Sequence, residues 1–285
     1  MVYILSKYKL KAVILFFLME HTIKAKKKFG QNFLKDLSIL NRIIQSMPNS
    51  VNHVVEIGPG LGDLTQNIVK YKDMTAYEVD TDLISILESK FANEINNKKL
   101  ELIHTDVLEA WKDQGSLHHT KYDLIANLPY YIATNIILRA FEDDNCENIV
   151  VMIQKEVAQK FSAKVGDKEY SSLGVITELI SNESRILFDV PPESFDPPPK
   201  VMSSILYVSK NTDVVLDKNF NKFLKACFTQ PRKKLSKNLS SVADKETLAK
   251  IYNELDLKET VRPHEVSASL YSQMYTKVKN GKQEN

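Results

Sequence analysis

The tetrapeptide Asn-Leu-Pro-Tyr at residues 127–130 combines an amide, a proline and an aromatic ring. It follows an apolar run, residues 122–126, that is predicted to be a buried strand. In an open α/β sheet, ligands bind at the carboxyl ends of the strands. There the Asn127 oxygen and the Pro129 carbonyl could accept hydrogen bonds from an exocyclic amine, while the Tyr130 ring stacks on a flat base. A strand that ends in a proline turn with a half-buried tyrosine is the alternative interpretation.

A glycine-rich turn and two acidic residues also follow predicted strands. Gly58 and Gly60 lie where glycines let the backbone approach a ligand and where a helix start offers amide donors. Glu78 ends the next strand, where a carboxylate can accept both ribose hydroxyls. Asp106 follows a third strand and could accept from an adenine amine. Because parallel strand ends share one edge of a sheet, these residues together predict a nucleoside site.

The glycine spacing disfavours a dinucleotide as the ligand. A dinucleotide fingerprint has the spacing G-x-G-x-x-G. This chain has G-x-G-x-G at residues 58–62, and Asp63 stands where the third glycine of the fingerprint would be.

Lysines and arginines form two clusters. The first contains Lys27 and Lys28 and precedes an aromatic-rich segment, residues 29–34, that is predicted to lie over a ligand. The second comprises Arg232, Lys233 and Lys234. Basic residues near aromatic ones suit an RNA backbone. A solvated surface is the alternative for each cluster.

A proline-rich loop is the other candidate site element. Five of the ten prolines of the chain fall within residues 191–199. Proline fixes φ, so Phe195 would be held on a stiff loop as a second stacking surface. An aromatic plug in an interdomain loop is the alternative.

Composition narrows the class of protein. A chain of 285 residues can form one large and one smaller domain. Its net charge of +2 says little about partners. Cys146 and Cys227 have no metal-like spacing, which predicts a reduced, cytoplasmic protein without disulfides or a metal. The apolar run 12–19 is much shorter than the ~20 residues that a membrane-spanning helix needs.

Strands and helices alternate as far as residue 210, and only helices are predicted beyond it. One helix is predicted over residues 132–141 with Thr134 as its N-cap. This pattern predicts an α/β domain at residues 26–210 and an all-helical domain at 211–285. Residues 1–25 are interpreted as an N-terminal extension.

Eight motifs match a known family in order, from about Lys27 to Ser267: FGQNFL, EIGPGLG, YEVD, HTDVL, NLPYY, QKEVAQK, PPESFDPPPKV and RPHEVS. The set resembles the small-subunit (16S) ribosomal RNA adenine dimethyltransferases. The resemblance implies an enzyme that uses S-adenosylmethionine to place two methyl groups on N6 of each of two adjacent adenines near the 3′ end of that RNA. It also implies a Rossmann-like class I methyltransferase domain followed by a smaller helical domain that contacts RNA or the ribosome.

The resemblance also assigns roles to residues. Asn127 would hold the target amine, Glu78 the cofactor ribose and Asp106 the cofactor adenine. The remaining cofactor contacts would come from the amino-terminal segment and the glycine-rich turn: Asn32, Leu34, Gly58 and Gly60. This chain departs from the family at Tyr131, where a polar residue is usual, and at Pro231, where an arginine is usual.

Three alternative functions remain open at this point: a large-subunit RNA adenine methyltransferase of the macrolide-resistance type, a DNA adenine methyltransferase, and a non-enzymatic ribosome-assembly factor. The proline-rich loop and the RPHEVS tail favour the small-subunit class. The expected partners are small-subunit ribosomal RNA and the immature small ribosomal subunit, and the expected form is a cytoplasmic monomer without membrane association.

Overall fold

The computed structural model describes residues 25–217 and 219–281, so the predicted extension lies outside this part of the chain except for its last residue. None of the helices in these two ranges is long and apolar enough to cross a membrane. Short 3-10 helices occur at Lys27–Phe29, Pro192–Ser194 and Pro263–Glu265. The strands and α-helices, in chain order, are β1 (Phe33–Leu34), α1 (Leu37–Gln45), β2 (His53–Ile57), α2 (Thr65–Ile68), β3 (Met74–Glu78), α3 (Thr81–Lys90), α4 (Ala92–Asn96), β4 (Leu100–His104), α5 (Val107–Gln114), β5 (Tyr122–Asn127), α6 (Ala133–Glu142), β6 (Cys146–Gln154), α7 (Lys155–Ser162), α8 (Ser172–Ile180), β7 (Ser181–Val190), β8 (Phe195–Asp196), β9 (Ser203–Lys210), α9 (Phe220–Cys227), α10 (Leu235–Leu239), α11 (Lys245–Glu254) and α12 (Ala268–Gly281).

Seven strands form one sheet in the order β4-β3-β2-β5-β6-β9-β7. The pairings from β4 through to β6 are parallel. The chain builds outward from β2 to β4 and then returns to the other side of β2 as β5. The direction of winding therefore reverses between β2 and β5, and such a reversal opens a ligand crevice at the carboxyl ends of the strands. The predicted α/β, Rossmann-like class is confirmed.

The central strands are buried on both faces. In β5, Tyr122 to Ala126 are consecutive buried residues, and in β2 the same holds for Val54 to Ile57. Successive strand side chains point to opposite faces, so unbroken burial means that both faces of these strands are covered. This environment explains why the two strands are rich in apolar residues, although each also buries one carboxyl group, that of Glu56 in β2 and that of Asp123 in β5.

Contacts divide the described chain into two units. The residues up to Lys155 and Leu187–Ile205 form the first unit, and Glu156–Ile186 and the residues from Leu206 onward form the second. The units interleave along the chain, because each takes one half of β7 and one part of β9. Helices α8 to α12, and α7 apart from its first residue, lie in the second unit. The division into domains at residue 210 stays a prediction.

The predicted N-cap of α6 is wrong. The helix begins at Ala133, and its N-cap is Ile132, which makes no side-chain capping bond. The Ile132 N–H donates to the Pro129 carbonyl at 3.2 Å. This turn leads directly into the helix, so Thr134 already lies within its first turn.

Candidate functional site

A cavity opens at the carboxyl edge of the sheet, within the first unit. Its walls come from the ends of β2, β3, β4 and β5 and from residues 29–34. The empty space within it, counting the open solvent at its mouth, is ≈ 1100 Å³. The cavity brings together the residues that the sequence predicted for the cofactor and the target amine: Asn32, Leu34, Gly58, Gly60, Glu78, Asp106, Asn127, Pro129 and Tyr130.

The glycine-rich turn after β2 is closely packed. Gly62 has φ +79°, and a Cβ there would lie 2.5 Å from the Phe91 ring. Gly60 has φ +61°, and a Cβ there would lie 3.1 Å from the Phe33 ring. Both positions therefore favour glycine for conformation and for space. The turn lies close to residues 29–34 only because Gly60 has no side chain.

Glu78 is a buried carboxylate whose orientation is set by backbone donors. Its Oε1 accepts from the N–H groups of Val79 (2.9 Å) and Asp80 (2.8 Å), and its Oε2 accepts from Gly60 at 3.3 Å. Burial raises the pKa of Glu78 above its ordinary value, although these three donors act in the opposite direction. The carboxylate joins the end of β3 to the glycine-rich turn and lines the cavity, where its oxygens could accept from the hydroxyls of a ligand.

Asp106 has two functions at the end of β4. It is the N-cap of α5, and its Oδ1 accepts from the Leu108 N–H at 2.8 Å. Its second oxygen has no hydrogen-bond partner among the residues that the structure describes. The side chain is exposed and lines the cavity, so that oxygen can accept a hydrogen bond from the amine of a ligand.

Asn127, the last residue of β5, has a defined amide orientation. Its Nδ2 donates to the backbone carbonyl of Asn32 at 3.1 Å. A carbonyl can only accept a hydrogen bond, so the nitrogen of the Asn127 amide must face it. Within residues 25–217 and 219–281 the amide oxygen has no partner and is left to accept from a ligand.

The turn after β5 supplies a second acceptor and an aromatic ring. The Pro129 carbonyl accepts from Ile132 at 3.2 Å and has a second lone pair. The Tyr130 hydroxyl lies 2.6 Å from the Ser203 hydroxyl. This bond fixes the tyrosine ring, which lines the cavity.

Phe195 does not line the cavity. Its side chain is 4% exposed, and it is paired with Leu34 in the antiparallel β1–β8 ladder. Through this pairing the proline-rich loop supports residues 33–34, which line the cavity. The role of Phe195 as a stacking surface stays a prediction.

Glu56 is a cavity residue to which the sequence reasoning gave no role. It is 1% exposed, and it accepts a hydrogen bond from the Thr65 hydroxyl at 2.6 Å. Burial raises its pKa to about 8, so the carboxyl group holds a proton through much of the neutral range. A charged residue within the apolar run 54–57 was the signal that could have identified it.

Tyr131 is a second residue without an assigned role. Its side chain is 60% exposed and lines the cavity. One ring carbon lies 3.3 Å from the point where a Cβ on Gly30 would be. The departure from the family pattern at this position therefore places an aromatic ring at the mouth, against residues 29–34.

The two basic clusters belong to different units. Lys28 is exposed and lies over the Phe29 ring at 4.4 Å; the side chain of Lys27 lies outside what the structure describes. Arg232, Lys233 and Lys234 precede α10 in the second unit and are exposed. None of these three forms an ion pair within the described part of the chain, so their charges are accessible to an anionic partner.

The chemistry of the cavity follows from its donors and acceptors. Two carboxylates at neighbouring strand ends suit the hydroxyls and the amine of a nucleoside. The Asn127 oxygen and the Pro129 carbonyl suit a second, separate amine. The described residues contain no group of histidines, cysteines and carboxylates that could bind a metal ion.

Comparison with known proteins gives a consistent picture. The family model of ribosomal RNA adenine dimethylases matches residues 22–280. The chain is 73% identical over 260 residues to the ribosomal RNA small subunit methyltransferase A of Aliarcobacter butzleri, covering 91% of this chain and 98% of the relative. It is 53% identical over 253 residues to the protein of the same name from Sulfurimonas denitrificans, covering 89% and 93% of the two chains.

Solved structures show the same fold. A dimethyladenosine transferase from Plasmodium falciparum has a TM-score of 0.73 at 23% identity, covering 87% of this chain and 98% of that one. The 23S rRNA methyltransferase ErmE has a TM-score of 0.66 at 22% identity, covering 87% and 100%. At these identities the likeness supports the architecture alone.

Proposed function

We propose, from the premise that the chain belongs to the ribosomal RNA adenine dimethylase family, that it transfers methyl groups from S-adenosylmethionine to N6 of two adjacent adenines near the 3′ end of small-subunit ribosomal RNA. The chain is an rRNA adenine dimethyltransferase. Its nearly full-length similarity to small-subunit enzymes favours that RNA over the large-subunit RNA, since the likeness to ErmE is one of fold.

The residues of the cavity fit S-adenosylmethionine. Glu78 would accept the two ribose hydroxyls, and the exposed oxygen of Asp106 would accept the adenine amine. The turn at Gly58 and Gly60 and the segment with Asn32 and Leu34 would surround the methionine end. When bound, this cofactor supplies a methyl group on a positively charged sulfur.

The second set of acceptors would hold the target amine. An adenine N6 lone pair is delocalised into the ring and is a poor nucleophile. The Asn127 oxygen and the Pro129 carbonyl would bind its hydrogens and draw the nitrogen towards tetrahedral geometry, which localises the lone pair. Such fixed dipoles and positioning lower the barrier without reorganising during the reaction.

No strong base is required before transfer. Methylation makes the amine nitrogen acidic, so a proton can pass to water after the new bond forms. The Asn127 oxygen would hold that hydrogen until it leaves. The same acceptors would serve the second transfer, when one hydrogen and one methyl group remain on N6.

The target base must leave its RNA stack to enter the cavity. Tyr130 would then stack on it, a contact worth ~1–3 kcal/mol per base, and we retain Phe195 as the proposed second face. The exposed Arg232, Lys233 and Lys234, together with Lys27 and Lys28, would contact phosphates. We further propose that the substrate is the immature small subunit in the cytoplasm and that the enzyme acts as a monomer.

The observation that carries this proposal is the Asn127 amide, because its nitrogen is held by Asn32 and its oxygen faces the cavity. The test is incubation of the protein with immature small subunits and S-adenosylmethionine, followed by mass spectrometry of the RNA nucleosides. We expect N6,N6-dimethyladenine at two adjacent positions near the 3′ end. A protein that binds the subunit and transfers no methyl group would instead be an assembly factor.

A further inference from the structure

Residues 26–34, called the strap below, run along the mouth of the cavity. The residues from Phe29 to Leu34 line it. The far end of the strap is held by pairing of β1 with β8, and its middle is held by the bond from Asn127 to the Asn32 carbonyl. A ligand that fills the cavity therefore contacts the strap.

The near end of the strap is fastened to Asp80. Lys26 Nζ lies 2.5 Å from Asp80 Oδ1, and Gln31 Nε2 lies 2.9 Å from Asp80 Oδ2. The Lys26 N–H donates to the Gln31 amide oxygen at 2.8 Å, which closes a ring of three hydrogen bonds. Lys26 Nζ also lies 2.6 Å from Asp82 Oδ2. Both oxygens of one carboxylate are thus occupied by side chains of the strap.

Asp80 also connects the strap to Glu78. Its side chain is 3% exposed, and its backbone N–H donates to Glu78 Oε1 at 2.8 Å. Burial alone would raise the pKa of Asp80, but the bonds from Lys26 and Gln31 hold it below its ordinary value. The carboxylate is therefore charged at neutral pH and attracts Lys26.

We propose that Lys26, Gln31 and Asp80 form a latch that keeps the strap closed over bound S-adenosylmethionine and its demethylated product, so that opening of the latch limits how fast either molecule leaves. The inference rests on the proposed cofactor site and adds to it the control of cofactor residence. The three residues are positioning residues, because they act through the strap and not on the reacting atoms.

Two properties distinguish a latch from an ordinary surface ion pair. Lys26 also pairs with Asp82, whose side chain is 68% exposed, and salt screens the attraction between exposed charges. The product should therefore leave the wild-type protein faster as salt rises, whereas a variant without Lys26 should respond less. Because the hydrogen bonds form one ring, loss of Lys26 and loss of Gln31 should not be additive, as is usual for side chains that share a network.

The test measures the dissociation rate of S-adenosylhomocysteine from the full chain by displacement with excess unlabelled ligand. We expect Lys26→Gln and Gln31→Ala each to raise this rate by about 3- to 10-fold, the size of effect that partly exposed charged hydrogen bonds allow. The double variant should fall short of the product of the two effects. Lys26→Arg keeps the charge and the donors and should restore a rate close to that of the wild type.

The controls separate the latch from general damage. Asp80 is not replaced, because its side chain also caps α3. Lys279→Gln removes a 2.8 Å ion pair with Asp217 in the second unit and should leave the dissociation rate unchanged.

Two results would overturn the inference in distinguishable ways. If the wild type binds the product and the Lys26 and Gln31 variants release it at the wild-type rate at low and at high salt, the latch is wrong and the proposed function stands. If the wild type binds neither S-adenosylmethionine nor its product, the proposed function fails and the latch fails with it.

Discussion

The two ends of β5 carry polar side chains with different surroundings. At the amino end, Asp123 is 1% exposed, and both of its oxygens are occupied. Oδ1 accepts from Asn52 at 3.0 Å and from Asn148 at 2.7 Å, and Oδ2 accepts from the Ser50 hydroxyl. At the carboxyl end, Asn127 uses its amide nitrogen in a bond to the strap, and its oxygen has no partner in the described residues.

The difference distinguishes residues that stabilise the fold from residues that contact a ligand. Asp123 ties three polar side chains together and leaves no acceptor for anything else. Asn127 makes only the bond that orients it. Because buried polar groups are almost always satisfied within a protein, an oriented acceptor left open in a cavity indicates a ligand. The contrast can be tested at both ends of the sheet.

The largest effect is expected for Asn127→Ala. The variant loses the acceptor that we propose positions N6, and removal of one such preorganised group slows an enzyme by about 10²–10³-fold. The measurement is single-turnover methyl transfer to immature small subunits. Asn148→Ala, at the amino end, is the matched control and should keep the activity of each folded molecule. Normal transfer by Asn127→Ala would remove the distinction between the two ends.

A smaller effect is expected for Glu78→Ala, and it should appear as a lower affinity for S-adenosylmethionine. The variant removes a carboxylate that would accept two ribose hydroxyls, and hydrogen bonds to a charged group are worth about 1.5–3 kcal/mol, or about 10- to 150-fold in affinity. Calorimetric titration with S-adenosylmethionine is the measurement. Glu78→Gln, which keeps one acceptor oxygen, should lose less. Equal affinity in all three proteins would show that this carboxylate serves the glycine-rich turn alone.

Asp123→Ala should change stability and leave activity alone. Its loss leaves the Asn148 amide and the Ser50 hydroxyl without their acceptor, whereas the Asn52 amide still donates to Glu147 at 2.8 Å. An unsatisfied buried polar group costs about 1–3 kcal/mol. We expect the free energy of unfolding, from urea denaturation, to fall by that amount while each folded molecule keeps the wild-type rate. A variant that is as stable as the wild type but transfers methyl groups slowly would reverse the assignment.

The smallest effects concern how the stability of the fold depends on pH. Two residues of β2, Glu56 and His53, should change this dependence in opposite directions. Burial raises the pKa of Glu56 from 4.5 to about 8, so the stability that its proton provides is lost as pH rises through that interval. Burial lowers the pKa of His53 from 6.5 to about 4, so stability is lost as pH falls through that interval.

Urea denaturation at a series of pH values measures both effects. Glu56→Gln can still accept from Thr65. This variant should flatten only the fall in stability that occurs as pH rises from 4.5 to about 8, called the alkaline limb of the profile. His53→Gln should flatten only the acid limb. A profile that keeps its alkaline limb in Glu56→Gln would mean that another group is responsible for it.

Much of the cavity could be predicted because its residues stand at the ends of strands, which can be recognised from the local sequence. Gly58, Glu78, Asp106 and Asn127 each end a strand or lie within two residues of its end, and a parallel sheet brings the carboxyl ends of its strands to one edge. Correct assignment of strands was therefore enough to place these four residues around one cavity. No knowledge of long-range contacts was needed.

The features that were missed depend on the surroundings of a residue in space. Lys26 directly precedes the basic cluster of Lys27 and Lys28, but it pairs with Asp80, which lies 54 residues away. Phe195 was expected to face a ligand; in the structure it is buried and pairs with Leu34, which is even farther away along the sequence. The grouping of residues 156–186 with the helices beyond 206 likewise has no local signature.

The bond between Asn127 and Asn32 has an evolutionary consequence. The acceptor in that bond is a backbone carbonyl, and every amino acid at position 32 would supply one. Point mutation at position 32 can therefore alter contacts to the cofactor without deleting the atom that orients the Asn127 amide. The side chain at position 32 is therefore open to drift and to selection for new ligands, while the orientation of the Asn127 oxygen is inherited with the path of the main chain.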